Sequence, residues 1–276
     1  MKILIFSGTH SRHVYVHENI CKNFDVCGAV VMEREPTMPG KTIKGNPNNI
    51  TKWPLKEQEL YKLHFEKRDF VERKYYNNKT TKIYDSYCDV LNVIPDELNS
   101  QKVKDFILNK KPDICFIFGV NLIKENIMEI MPKLSINLHL GLSPWYRGSA
   151  TLFWPFYNLQ PQFAGSTFHQ IVNEPDAGDI LHQTVPTLKK GDTLHEVAAN
   201  TVIESTKDAI KLLKIIENNQ HIPLQKQKNS GKNYLIKDFE PHHLNVIYTL
   251  FNDNIVDEYI KGNLGNKKPK LIKAYE

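Results

Sequence analysis

Residues 2–33 constrain the fold of this chain more than any other stretch. KILIFSG is a short β-branched run closed by Gly8 and reads as a buried strand. HSRHVYVHENICKNF follows with Val14, Val16 and Ile20 at helical spacing, and DVCGAVVME is a second apolar strand. Strand, helix and strand in so short a length predict a right-handed parallel crossover.

The alternation resumes downstream. CDVLNVI, PDICFIFGV and LSINLHLG read as strands, with DELNSQKVKDFILNK and KENIMEIMPK as helices between them. Asp96 or Asn99 is the expected cap of the first of these helices. ATLFWPFYNL reads as a helix around Pro155. FAGSTFHQIV and ILHQTVP read as strands joined by the turn NEPDAGD. DTLHEVAANTVIESTKDAIKLLKIIEN is a long helix, capped by Asp192 or Thr193 with Glu196 as the capping-box acid. The expected fold is α/β: a doubly wound, Rossmann-like, mainly parallel sheet with helices on both faces.

Two regions stand outside that pattern. Residues 33–85 begin with a loop rich in Pro, Gly, Asn and Lys and continue as a charged helix carrying Leu60, Leu63, Phe70 and Val71, an insertion that forms a lid, a partner-facing helix or a surface excursion. Residues 219–276 form a small C-terminal extension. The expected organisation is a catalytic domain over 1–218 and this appendage.

Composition excludes some classes. With 36 Lys and Arg against 31 Asp and Glu, the formal charge is +5, and the basic residues are scattered. That fits a solvated surface or an anionic small molecule and argues against nucleic acid. The four cysteines form no Cys-x-x-Cys pair, and Cys115 lies in an apolar run, so a reducing compartment fits best. The run Ile3–Phe6 is too short for a signal-peptide core, and no stretch of about 18 apolar residues occurs. The expectation is a cytoplasmic protein without a membrane span.

The segment SINLHLGLSPWYRGSA carries the chemistry. Asn137 and His139 are two apart on a strand and share a face. A neutral amide donor beside a proton carrier suits a reaction that builds charge on a carbonyl oxygen. Two satisfied polar groups at a strand end are the alternative. Asp176, in NEPDAGDI, supplies a carboxylate that raises the basicity of an imidazole and fixes its orientation, or simply makes the turn.

Together, NLHLGLSPWYRGSATLFWPFYN and GSTFHQIVNEPDAGDIL resemble the signature of the formyltransferases that use 10-formyltetrahydrofolate. That family includes the glycinamide ribonucleotide, methionyl-tRNA and sugar N-formyltransferases. The resemblance covers residues 1–215 apart from the insertion. It implies an amine attacking the formyl carbon, Asn137 donating to the developing oxyanion, His139 handling the amine proton, and Asp176 holding His139. It implies a pterin read by main chain near Phe118, Gly119, Val120 and Leu122 and around Val172 and Asn173. The side chains of Phe118 and Leu122 are expected in the core.

The loop with Ser143, Trp145, Tyr146 and Arg147 is expected to shape the amine entrance. Arg147 either contacts an anion or braces the loop. Trp53, Trp145 and Tyr146 either stack on the acceptor or pack. His10 and His13 lie where an acceptor reaches, and His169 is placed to support the site. His10, His13 and His17 share a helical spacing, but no acid or Cys stands near them, and the resemblance calls for no metal. The extension looks like that of the sugar enzymes. The acceptor implied is therefore a nucleotide-linked amino sugar, within polysaccharide biosynthesis and with a homodimer as an option. Glycinamide ribonucleotide or methionyl-tRNA, a formate-releasing hydrolase and a non-catalytic folate binder are the alternatives.

Overall fold

The computed structural model describes residues 1–34, 53–227 and 231–275. Most of the loop expected after residue 33 lies outside these residues.

The described chain runs β1 (Lys2–Gly8), α1 (Ser11–Cys21), β2 (Asp25–Met32), α2 (Leu55–Tyr76), β3 (Val90–Val93), α3 (Gln101–Lys110), β4 (Ile114–Phe118), α4 (Glu125–Met128) and β5 (Ser135–His139). It continues through β6 (Tyr146–Gly148), α5 (Trp154–Tyr157), β7 (Ser166–Gln170), β8 (Ile180–Thr184), α6 (Leu194–Glu217), β9 (Lys232–Tyr234) and α7 (Ile255–Ile260). The main sheet has the order β3-β2-β1-β4-β5-β7-β8. β1 to β5 are parallel, and β7 and β8 are antiparallel additions.

The sheet is covered on both faces, which is why its strands are nearly all apolar. Ile3, Ile5 and Phe116 pack with Val14, Val16, Val202 and Leu212 of α1 and α6. Leu4, Phe6, Cys115 and Ile117 pack on the opposite side with Val103 and Ile107 of α3. α6 starts with the expected capping box: the Thr193 hydroxyl accepts from Glu196 N–H while the Glu196 carboxylate accepts from Thr193 N–H.

Three expectations change. Neither Asp96 nor Asn99 caps α3, whose N-cap is Ser100. Asn99 instead ties down the loop after β4, its Oδ1 accepting Lys124 N–H at 2.7 Å and its Nδ2 donating to Leu122 O at 3.0 Å. On α2, Phe70 is 70% exposed, while Tyr61, His64 and Val71 face inward. The apolar pattern misled because that helix turns a partly polar stripe toward the interior. Tyr146–Gly148 form a strand only because Lys232–Tyr234 of the C-terminal segment pair with them. That segment is also core: Tyr234, Leu244, Ile247 and Val256 join Trp154, Phe156 and Tyr61 in one cluster.

All four cysteines are free, and Cys115 is fully buried. Among the described residues, no helix is long and apolar enough to cross a membrane.

Candidate active site

Alternation along β5 builds the site. Ile136 and Leu138 point into the layer with Phe116 and Phe168. Asn137 and His139 therefore point to the other face. Across the antiparallel pairing, Asn137 lies opposite His169 and His139 opposite Thr167. The turn after β7 folds back over this face and delivers Asp176, which adopts a left-handed φ of 53°. Such a conformation costs a residue with a Cβ of order 1–3 kcal/mol and persists where surrounding contacts hold it. Here the Gln227 side-chain amide donates to the carbonyls of Asp176 and Gly178, at 2.8 and 2.7 Å.

Asp176 binds three groups. Oδ1 lies 3.3 Å from His139 Nδ1 and 3.4 Å from His169 Nε2, and Oδ2 accepts Gly148 N–H at 3.1 Å. Burial alone would raise its pKa. The two imidazoles and the Gly148 amide outweigh burial and hold the carboxyl well below the usual carboxylate range. Burial lowers the His139 pKa below its ordinary value, against the pull of Asp176.

His139 is flanked by two acceptors, because its Nε2 also lies 3.3 Å from the Tyr146 carbonyl oxygen. A neutral imidazole has one N–H and satisfies only one of them; an imidazolium satisfies both. Gly141 leaves the ring its space, since a Cβ there would fall on His139 Nε2 and the Tyr146 oxygen. His169 Nδ1 lies 2.8 Å from Gln170 O, and its Nε2 lies 3.0 Å from Asn137 Nδ2 and 3.4 Å from Asp176 Oδ1, so this ring links the amide to the carboxylate.

Two cavities flank the segment 148–151. The first, of about 310 Å³, is lined by Asn137, His169, Gly148, Ser149 and Asp176 and by Val120, Asn121, Leu122 and Val172. The second, of about 320 Å³, is lined by Ala150, Thr151, Leu140 and Phe153, by Arg12 from α1, by His64, Arg68 and Glu72 from α2, and by His195 from α6. His139 lines neither and stands between them.

Not every expected residue comes to these cavities. Phe118 is buried as expected and meets His13 in a T-shaped contact at 4.7 Å, whereas Leu122, expected in the core, is 50% exposed because its loop borders the first cavity. His13 fills the space that Gly8 and Gly119 leave open, and His10 stacks on it at 5.2 Å with its Nδ1 2.8 Å from Arg12. Asn173 is exposed beyond the first cavity. Trp53, Trp145 and Tyr146 each engage a protein ring: Tyr61, Phe163 and Tyr234 respectively. Ser143 N–H donates to Thr167 Oγ1 at 2.9 Å, holding the loop to β7. Arg147 reaches Glu174 at 3.7 Å and spans from β6 to the turn that carries Asp176. Among the described residues, no group of three or more His, Cys, Asp or Glu is placed to hold a metal ion.

Arg12, His64, Arg68, His195 and Gln227 escaped the sequence reading. Each is a lone polar residue in a helix or loop, and only packing between distant elements brings it to the site.

The chain is similar in fold to several solved proteins. A 4-N formyltransferase from Francisella tularensis is 19% identical over 86% of this chain and 77% of its own, with a TM-score of 0.53. Phosphoribosylglycinamide formyltransferase from Anaplasma phagocytophilum is 15% identical over 85% of this chain and 97% of its own, with a TM-score of 0.57. An N-formyltransferase from Helicobacter canadensis, solved with folinic acid and dTDP-3-aminofucose, is 19% identical over 94% of this chain and 82% of its own, with a TM-score of 0.53. The sequence model of the formyl transferase family matches residues 1–211, which include the main sheet, α2, Asn137, His139 and Asp176. The chain belongs to the formyl transferase family and is an enzyme of formyl transfer.

Proposed function

We propose that this protein transfers a formyl group from 10-formyltetrahydrofolate to the primary amine of a nucleotide-linked amino sugar. One observation carries the reading: Asn137 and Asp176 line one of two cavities and His139 stands between them, the first cavity lined by the loop residues Val120–Ile123 and the second by Arg12 and Arg68.

The first cavity fits a pterin. Its volume of about 310 Å³ lies at the lower end of the ~300–1,000 Å³ typical of ligand pockets. Val120–Ile123 form no helix or strand, so their main-chain groups lie outside the sheet ladder, available to a flat ring edged with donors and acceptors. The folate supplies the formyl carbon. Asn137 donates an amide hydrogen to the formyl oxygen, where negative charge grows during attack. His139 gives up its long contact with the Tyr146 carbonyl, takes the proton of the attacking amine, and regains that contact as an imidazolium. Asp176 stabilises the imidazolium through Nδ1 and fixes the ring. The proton then passes to the departing folate nitrogen, completing a formamide and tetrahydrofolate.

The second cavity suits the acceptor. Arg68 and Arg12, the latter paired with Glu72 at 2.6 Å, suit a pyrophosphate, and Phe65, Phe153 and Phe239 offer flat walls for a sugar or base. The Helicobacter protein was solved with such a ligand, dTDP-3-aminofucose. In this reading residues 1–218 are the catalytic domain with its insertion at 33–85, and 219–276 brace it. The reaction takes place in the cytoplasm.

The test incubates the protein with 10-formyltetrahydrofolate and dTDP-, GDP- and UDP-linked amino sugars, glycinamide ribonucleotide and methionyl-tRNA. One formyl group gained by a nucleotide sugar supports the proposal. Gain by another amine moves the acceptor class, formate release without an acceptor marks a hydrolase, and tight folate binding without turnover marks a non-catalytic protein.

A further inference from the structure

α2 presents one stripe to the second cavity. His64, Arg68, Glu72 and Tyr76 recur at four-residue spacing, and all of them line it. Within that stripe Glu72 Oε1 lies 2.6 Å from Arg12 Nη1 of α1, and the Glu72 and Arg12 side chains are 14% and 18% exposed. A carboxylate and a pair of guanidiniums, those of Arg12 and Arg68, therefore face the same space. Burial and the Arg12 charge lower the Arg68 pKa to about 10, and the Glu72 charge opposes both.

The fold does not need this pair to hold α2. Lys67 Nζ reaches Asp253 Oδ2 at 3.1 Å, and Lys74 Nζ reaches Glu196 Oε1 at 3.2 Å, tying α2 to the C-terminal segment and to α6. Tyr61, Val71 and Tyr76 bury the same helix in the core. None of the four charged groups in those two ties lines the cavity, whereas both partners of Arg12–Glu72 do. A partly exposed ion pair adds little to stability, so its place in the wall is better explained by what the cavity binds. Arg12 also has a second anchor. Arginine offers donors only, and its Nη2 donates to His10 Nδ1 at 2.8 Å. The guanidinium thus stays fixed when Glu72 lets go, and a glutamate side chain changes rotamer without moving its helix.

We propose that Glu72 is an internal competitor for Arg12, a carboxylate that the phosphate of the acceptor must displace to enter the second cavity. The inference rests on the reading that this cavity holds the formyl acceptor. Carboxylate and phosphate oxygens use the same guanidinium donors, so only one of them takes Arg12 Nη1 in the geometry seen here. The competition sets a threshold. A ligand gains at Arg12 only what its own charge offers beyond the carboxylate it replaces. A pyrophosphate, doubly charged and set against both Arg12 and Arg68, exceeds it. An uncharged sugar has nothing to exchange for the ion pair and leaves it closed. Glu72 is the specificity-determining residue, and His10 is the positioning residue that keeps Arg12 in place.

Titration calorimetry of the full chain with dTDP, UDP and inorganic pyrophosphate reads the competition without turnover. Glu72→Gln and Glu72→Ala are each expected to bind the probes about ten-fold tighter than the unaltered protein, the lower end of what one charge-assisted hydrogen bond is worth. Arg12→Met is expected to weaken binding, and adding Glu72→Gln to it to recover less than about two-fold, because the two side chains act on one contact. Equal or weaker binding in both Glu72 variants would make Glu72 a brace for Arg12 and overturn the proposal. A ten-fold gain that persists in the Arg12→Met background would reduce the effect to net charge and overturn it as well. Binding that neither Arg12→Met nor the Glu72 variants alter, or no binding of any probe by any of these proteins, overturns the reading that this cavity holds the acceptor, and the competition with it. Circular dichroism checks that each variant is folded.

Discussion

His139 Nδ1 and Asp176 Oδ1 lie 3.3 Å apart, joining the end of β5 to a turn held in a left-handed conformation. The carboxylate is kept ionised by its neighbours, and the imidazole is kept neutral by burial. In the proposed mechanism, the imidazole thus stands beside the charge that stabilises it once it has taken a proton.

Replacing Asp176 by Asn keeps the shape and removes the charge. General acid–base catalysis typically contributes about 100- to 10,000-fold, and Asp176→Asn is expected to lose formyl transfer in that range. Circular dichroism should show the fold intact. Turnover within a factor of two of the unaltered protein would remove Asp176 from the mechanism.

The pKa directions set a pH dependence. His139 is depressed, so between its folded pKa and about 6.5 the unfolded chain binds more protons than the folded one. Asp176 is depressed, so the same holds between its folded pKa and about 3.9. Stability in both windows therefore rises with pH: each contribution is complete above the unfolded pKa and is lost as pH falls through the folded one. The urea midpoint should drop from pH 7 to pH 4 as His139 passes through its window, and the further fall below pH 4 should be smaller in Asp176→Asn, which lacks the titrating carboxylate. Activity limited by His139 should persist to a pH below the ordinary histidine value before falling.

Gly141 tests the space behind the base. A methyl group there collides with His139 Nε2 and the Tyr146 carbonyl. Gly141→Ala is expected to cost about 1–3 kcal/mol in stability, as overpacking does, and to lower kcat further than that loss explains. Thermal unfolding and steady-state kinetics on one preparation separate the two.

Gln227 tests the C-terminal brace. Gln227→Ala leaves the carbonyls of Asp176 and Gly178 without their side-chain donor. The expected cost is about 1 kcal/mol of stability, with a fall in kcat and little change in acceptor KM. An unaltered kcat would show that the turn holds Asp176 without help.

Arg68 tests the second cavity. A charge-assisted hydrogen bond contributes about 1.5–3 kcal/mol, so Arg68→Met should raise KM for a nucleotide-linked acceptor about 10- to 150-fold and leave KM for the folate unchanged. An equal rise in both would place the acceptor elsewhere.

The chain's own order of residues determined the sheet and the face that Asn137 and His139 share. Apolar runs of strand length alternating with helical spacing allow few alternatives, since covered parallel strands must be apolar along their whole length. Two-residue alternation put Asn137 and His139 on one face before any tertiary contact was known. Tertiary structure alone decided the rest. Phe70 faces solvent while His64 is buried, because α2 lays a polar stripe over a cavity, and hydropathy cannot anticipate a buried polar wall. Tyr146–Gly148 became a strand because Lys232–Tyr234 lie beside it, and Gln227 reached Asp176 across the chain. Local propensity carries no record of such partners: a hydrogen bond between distant segments exists only once the segments that make it have been brought together by burial.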